Sequence, residues 1–475
     1  MNDPQAFVKR PSKKKSFILS LQPAQAWIAI LGLAFLTSLC ILAGLGKILN
    51  LLFPAGCFAV GIFLYFRYPL LYVGFTWWLW FLTPLIRRLS DYRGSYTEPS
   101  PILLAPFLVT FITIVTLWRN LPKLYQQGGF PYILSLLAVF YGFLVGLINR
   151  TIVKVGIGFL DWLCPILFGL HLFINWRNYI TYRKSIQRIF LWGLLVMGCY
   201  GILQFLIAPQ WDVYWLIKAE FDSGGKPEPL GLNVWSTMAS NQPFGTVMAA
   251  GLLLLLVNPN KGSLSTPATG VGYLSFLLAR KRTTWASYLF GLLLLTGSLK
   301  SHIQMRIIIT IVLTVICVIP LVTLQPFSDF LTSRFSTITE LQQDNSAEAR
   351  QETFSELIDD ALNSYLGGGI GGPAHDSGIL SPLLDLGLFG TLFYFSGIIL
   401  LMLSLFQGSE ACNDQFASAA RAIAVSTFIQ LPLTRPNVEV QGMILWGFMS
   451  LAIAAKKYYN SQRKMRTNTL NSIKE

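Results

Sequence analysis

The sequence predicts an all-α, polytopic integral membrane protein with about 12–14 transmembrane helices and one large external helical loop. Three observations predict it. Hydrophobic residues make up 53% of the 475 residues and charged residues only 12%, against roughly 25% charge in an ordinary soluble domain. Apolar runs of about 20 residues, the length that crosses a bilayer, recur along nearly the whole chain. The polar sequence between them is too scarce to cover such runs as core helices in water.

The net charge of +14 is concentrated at the ends. "VKRPSKKK" opens the chain and "KKYYNSQRKMR" nearly closes it. Lys and Arg near span ends favour the cytoplasmic side. Both termini are therefore predicted cytoplasmic, as basic tails over 1–24 and 457–475 flanking a single transmembrane domain over 25–456. Such tails suit membrane lipid headgroups, not nucleic acid. The first 24 residues lack a cleavable signal pattern. The six cysteines form no CxxC pair and mostly lie in apolar runs, and the three histidines are scattered. No metal site, cofactor or disulfide framework is expected.

In order, spans are predicted near 25–46, 49–66, 68–87, 101–118, 130–148, 155–175 and 188–208. The basic segment "NWRNYITYRKSIQR" (175–188) is assigned to the cytoplasm. The next span delivers the polar stretch 209–235 to the outside. Further spans follow near 236–257, 266–280, 283–298 and 304–325, then 378–405, 415–432 and 438–456. The longest polar insertion, 326–377, is external only if 266–298 is a helical hairpin. Its tip, "ARKRTTW" (279–285), then carries Arg280, Lys281 and Arg282 outside, against the positive-inside tendency. An anionic ligand at the outer face supplies a reason, because Arg forks match phosphate oxygens. The alternative is that these three are cytoplasmic anchors.

Within the insertion, Phe354, Leu357, Ile358, Ala361, Leu362 and Tyr365 recur at helical spacing. Arg350 shares their face. "LGGGIGG" ends this helix and leads into "PAHDSG", directly before an apolar run.

Four segments in order resemble the O-antigen ligase/polymerase superfamily: "NVWSTMASNQPFGTVMAAGLLLLL" (233–256), "LLARKRTTWASYLFGLLLL" (277–295), "SRFSTITELQQDNSAEARQETF" (333–354) and "GGGIGGPAHDSGILSPLLDLGLFG" (367–390). They resemble, respectively, the family's Arg-x-Phe-Ser-Thr segment, its Thr-x-Ser-Arg-x-x-Trp junction, its external-loop arginine and its Gly-x-Gly stretch followed by His. The resemblance covers about residues 230–400. Two positions depart from it. The family's Arg before the Ser-Thr pair is Asn233 here. Its His lies eleven residues before the Gly of Leu-Gly, which counts back from Gly387 to Asp376, one residue after His375.

The resemblance implies a metal-independent glycosyltransferase at the outer face of a bacterial inner membrane. It would join a polyprenyl-diphosphate-linked glycan donor to a glycan or lipid-glycan acceptor, as a ligase or a polymerase. It implies catalytic roles for His375, Asp376 and Arg350, and substrate binding by Arg280, Arg282, Arg334 and Asn233. The lipid diphosphate is itself a good leaving group, and no GxxxxGK[ST] motif is present. Neutral His375 or ionised Asp376 can serve as base to an acceptor hydroxyl.

Each residue has a plainer reading. Asp376 and Ser377 can be helix N-caps, and His375 a solvated loop residue. Arg334 and Arg350 can be surface ion partners of Glu340 or Glu348. Asp385, an acid at or near lipid depth, calls for a functional or buried-pair role. Two other classes stay open: a lipid-linked glycan flippase, which would carry internal repeats and midplane charges, and a non-catalytic scaffold of polysaccharide assembly.

Overall fold

The computed structural model describes residues 23–257, 264–298, 304–305, 308, 312, 355–359, 361–373, 375–407 and 414–474. The protein is an all-α polytopic membrane protein. Among the described residues, eight helical segments are long and apolar enough to cross a bilayer. Their outer surfaces explain why they need one: Phe35 is 71% and Leu51 79% exposed, a hydrophobic face that water would not tolerate.

The helices run as α1 (Ala24–Leu42), α2 (Gly46–Arg67), α3 (Pro69–Arg93), α4 (Leu104–Phe111), α5 (Ile114–Leu124), α6 (Phe130–Asn149), α7 (Ile152–Ile174) and α8 (Tyr179–Ile207). A short α9 (Gln210–Lys218) precedes α10 (Asn241–Val257), α11 (Ser265–Leu278) and α12 (Arg282–Gly297). After the insertion come α13 (Leu380–Phe406), α14 (Gln415–Phe428) and α15 (Glu439–Lys474). The 266–298 stretch is thus a helical hairpin turned at residues 279–281. Residues 355–359 and 361–363 of the insertion are helical. Most of the predicted span 304–325 lies outside the described residues.

Two boundaries differ from the sequence reading. The basic segment 175–188 is not a loop, because α8 already begins at Tyr179. Arg and Lys are good helix formers, so the helix runs past its apolar stretch into the headgroup zone. For the same reason α15 continues through the basic tail to Lys474.

Contacts between loops sort them into two ends. At one end Tyr68 donates to Gln25 (3.2 Å), Lys457 to the Gln127 carbonyl (2.8 Å), and Tyr179 and Tyr459 to Asp414 (2.9 and 2.8 Å). At the other, Tyr92 donates to Gln210 (2.6 Å) and Asn149 to the Gly368 carbonyl (3.4 Å). There also the Val234 amide donates to the Leu278 carbonyl (3.0 Å), and the Gly378 amide to the carbonyls of Leu431 (2.8 Å) and Thr434 (2.7 Å). The hairpin tip, the 208–240 loop, the glycine-rich stretch and the α14–α15 link all share this second end.

Small residues allow close helix approach in a membrane. A Cβ on Gly169 of α7 would lie 2.8 Å from the Trp446 carbonyl of α15, and one on Gly397 of α13 would lie 2.4 Å from the Pro131 carbonyl of α6. The glycine-rich stretch uses this principle most fully. Ile370 is buried between α6 and α7, where a Cβ on Gly146 would sit 2.5 Å from its carbonyl oxygen. Helix α13 breaks at Gly387 (φ 65°, ψ −179°). The amides of Gly368 and Gly369 donate to the Leu384 and Asp385 carbonyls that the break frees (2.8 and 3.0 Å), while the Leu388 amide donates to the Ser364 carbonyl (3.2 Å). Irregular backbone at membrane depth thus keeps its hydrogen bonds.

Candidate active site

The loop after α8 is fixed before it reaches the site. Arg88 of α3 and Asp212 of α9 form a buried ion pair at 2.6 Å. Asp212 also accepts from Tyr200 (2.8 Å) and Gln204 (2.9 Å). Arg88 donates to the Ser236 carbonyl, and Gln204 accepts from the Ser236 amide at 2.8 Å. Thr237 donates to the Phe81 carbonyl at 2.6 Å. A small turn closed by a Gly225–Leu232 bridge then sets Asn233, which donates to the Ser223 carbonyl (2.8 Å) and accepts from Arg280 (3.4 Å).

This arrangement borders a polar cavity of about 610 Å³. Its walls bring together Asn233, Asn241 and Gln242, the hairpin tip Arg280–Thr283, Asp376, and Arg435, Glu439 and Gln441 from the α14–α15 link and the start of α15. Of the sequence candidates, Arg280, Arg282, Asn233 and Asp376 meet here. Arg334 and Arg350 lie outside the described residues. Four cations, Arg280, Lys281, Arg282 and Arg435, line one space with amide and hydroxyl side chains, a donor set suited to phosphate oxygens.

The backbone around the cavity is strained. Arg280 (φ 53°), Ser236 (φ 52°) and Glu439 (φ 52°) have positive φ without being glycine. Such conformations cost about 1–3 kcal/mol each and gather at functional sites. They persist here because the surrounding bonds hold them, as the Gln204 and Arg88 bonds hold Ser236.

Ser377, not Asp376, caps α13: its hydroxyl accepts from the amides of Ile379 and Leu380, both at 3.3 Å. Asp376 is exposed to the cavity. His375 is half-buried beside Asp376, with Arg435 and Asp376 as its charged neighbours, and is not among the residues that line the cavity. Burial first, then the Arg435 charge, lowers its affinity for a proton below the usual imidazole range, while Asp376 opposes them. Its ring is therefore neutral at neutral pH, the state a base requires.

Two further cavities adjoin the first. An apolar slot of about 420 Å³ runs past Trp80, Pro84, Leu104, Phe107, Met238 and Val440. It shares Pro243 and Glu439 with the polar cavity. A third space of about 620 Å³ lies behind Arg435 and reaches Arg150, Asp161 and Asp385. Asp385 is 7% exposed, accepts from Ser381 (3.4 Å), and has Arg435 and Arg150 as charged neighbours. Asp161 faces Glu439 and Arg435. The sequence reading missed Arg435 and Glu439. Their signal was span parity: "LPLTRPNVEV" joins two apolar runs on the face that carries the hairpin tip. Among the described residues, no group of His, Cys, Asp and Glu has metal-binding geometry.

The chain matches no family model and no curated protein.

Proposed function

We propose that the protein is a glycosyltransferase of the O-antigen ligase or polymerase type, acting on a polyprenyl-diphosphate-linked glycan. One observation carries the reading: a cavity with four cations opens at one end of the bundle and shares its wall with an apolar slot. An isoprenoid chain suits the slot, and a diphosphate suits the cations. The end opposite the site holds Arg177, Arg183, Lys184, Lys456 and Lys457, which favours the cytoplasm there and the outer face for the site.

In this reading the acceptor hydroxyl oxygen bonds the donor sugar's C1, and the bond from C1 to the phosphate oxygen breaks. The lipid diphosphate leaves with the electron pair. Its growing charge is met by Arg280, Arg282 and Arg435, already in position. The hydroxyl proton passes to His375 or Asp376, and the neutral state of His375 favours the imidazole. Asn233 stands where the family has arginine. It holds Arg280 by its side-chain oxygen, so its part is to orient a cation.

The test is transfer in liposomes holding the purified chain, a radiolabelled lipid-diphosphate glycan and an acceptor glycan. Label is expected in a glycosidic product, with chelator present, and not with His375→Gln/Asp376→Asn. Movement of the lipid across the bilayer without any new glycosidic bond would favour the flippase instead.

A further inference from the structure

The cavity behind Arg435 is not needed to hold a lipid diphosphate. Its volume of about 620 Å³ is close to the 610 Å³ of the cationic cavity, and both fall in the usual range for ligand sites. Its interior differs in chemistry. Asp161 and Asp385 stand with Trp162 in its wall, and Arg150 and Lys154 stand exposed where α6 gives way to α7. Carboxylates accept hydrogen bonds from sugar hydroxyls, and an indole offers an apolar face, which together suit a saccharide. The exposed cations at the mouth add an attraction for an acidic group.

The position is as telling as the lining. Residues 371–373 border this cavity and Asp376 borders the cationic one. His375 falls between them, and Arg435 contributes to both walls. The glycine-rich stretch is thus a partition with the candidate base inside it. Gly372 keeps that partition thin: a Cβ there would lie 3.1 Å from Asp385 Oδ1 and 3.6 Å from Arg150 Nη2.

We infer that this second cavity seats the acceptor, a saccharide bearing an anionic substituent such as a uronate, whose hydroxyl meets the donor sugar across the His375 partition. The inference rests on the glycosyltransferase reading for the acceptor's role, and on the cavity's own lining for the class of saccharide.

The experiment uses the full chain, freed of its native cysteines, in phosphatidylcholine nanodiscs. Thr151→Cys reports on the second cavity and Ser240→Cys on the cationic one, through their rates of reaction with a charged maleimide. Trigalacturonate is expected to slow labelling at Thr151→Cys at least fivefold and to leave Ser240→Cys unchanged. Farnesyl diphosphate is expected to do the reverse, and its failure alone would count against the donor reading while leaving the acceptor result standing. Calorimetry on the unmodified protein supplies a second measurement. There trigalacturonate is expected to bind at least tenfold more tightly than maltotriose, and to lose that margin in Arg150→Gln/Lys154→Gln. The inference is overturned if trigalacturonate protects neither cysteine, protects Ser240→Cys, or binds no better than maltotriose. It is also overturned if only added phosphatidylglycerol protects Thr151→Cys, because the mouth would then be a lipid headgroup site.

Discussion

Arg88 and Asp212 meet at 2.6 Å with side chains 1% and 0% exposed, and that contact ties α3 to the loop that presents Asn233. Removing one member of such a pair leaves an uncompensated buried charge, at about 3–5 kcal/mol, whereas removing both leaves none. Arg88→Met is expected to lower the thermal midpoint strongly and abolish transfer. Arg88→Met/Asp212→Asn should recover much of the midpoint, read by tryptophan fluorescence in detergent. A double variant no more stable than the single would show that the pair is not what holds the loop.

Arg282→Lys and Arg435→Lys should each lose roughly tenfold or more in kcat/KM. Charge-assisted bonds contribute about 1.5–3 kcal/mol, and an ammonium does not reproduce the guanidinium fork on a diphosphate. Arg282→Ala with normal turnover and normal expression would return that residue to a membrane anchor.

The pH dependence follows from His375. Protonation removes the base, so activity falls as pH drops through the imidazole pKa. Burial and Arg435 lower that pKa, so the acid limb of kcat/KM should lie below the usual 6.5. Arg435→Gln removes one lowering cause and should move the limb to higher pH, whatever it does to the plateau. An unmoved limb would separate His375 from the chemistry. Because Ser377 supplies the cap, Asp376→Asn tests the carboxylate alone.

Orientation is open to direct labelling. Lys226→Cys, at the site end, should react with a charged maleimide in intact spheroplasts. Arg466→Cys, on the tail of α15, should react only after lysis. The reverse pattern would put the site in the cytoplasm.

Gly369 tests the glycine-rich partition. It has φ +83°, and a Cβ there would fall 2.2 Å from the Gly146 amide nitrogen. Gly369→Ala should cost at least about 2 kcal/mol and reduce folded yield on gel filtration. Gly32→Ala is the control: nothing lies within 4 Å of a Cβ there, and alanine in a helix should be neutral or slightly stabilising.

Much of this was legible in the sequence because lipid imposes a simple rule on backbone and charge. Apolar runs marked the helices, and the basic cluster between two of them marked Arg280–Arg282, which line the cavity. What stayed hidden depends on tertiary approach. The break at Gly387 sits in an apolar run that reads as one helix. Arg435 and Glu439 lie in and just after a link too short to attract notice, and only folding shows that both face Asp161 and that Arg435 also faces Asp385. The helical start at Tyr179 was hidden because hydropathy marks the oily part of a helix, not its ends.

The bonds between the glycine thread and the broken α13 have a consequence for traffic. Withdrawing residues 367–371 would strip the Leu384 and Asp385 carbonyls of their partners, at about 1–3 kcal/mol apiece where they stay buried. The thread is therefore a fixed post, not a door. In the glycosyltransferase reading, residues 371–373, which form part of the second cavity's wall, hang from that fixed post.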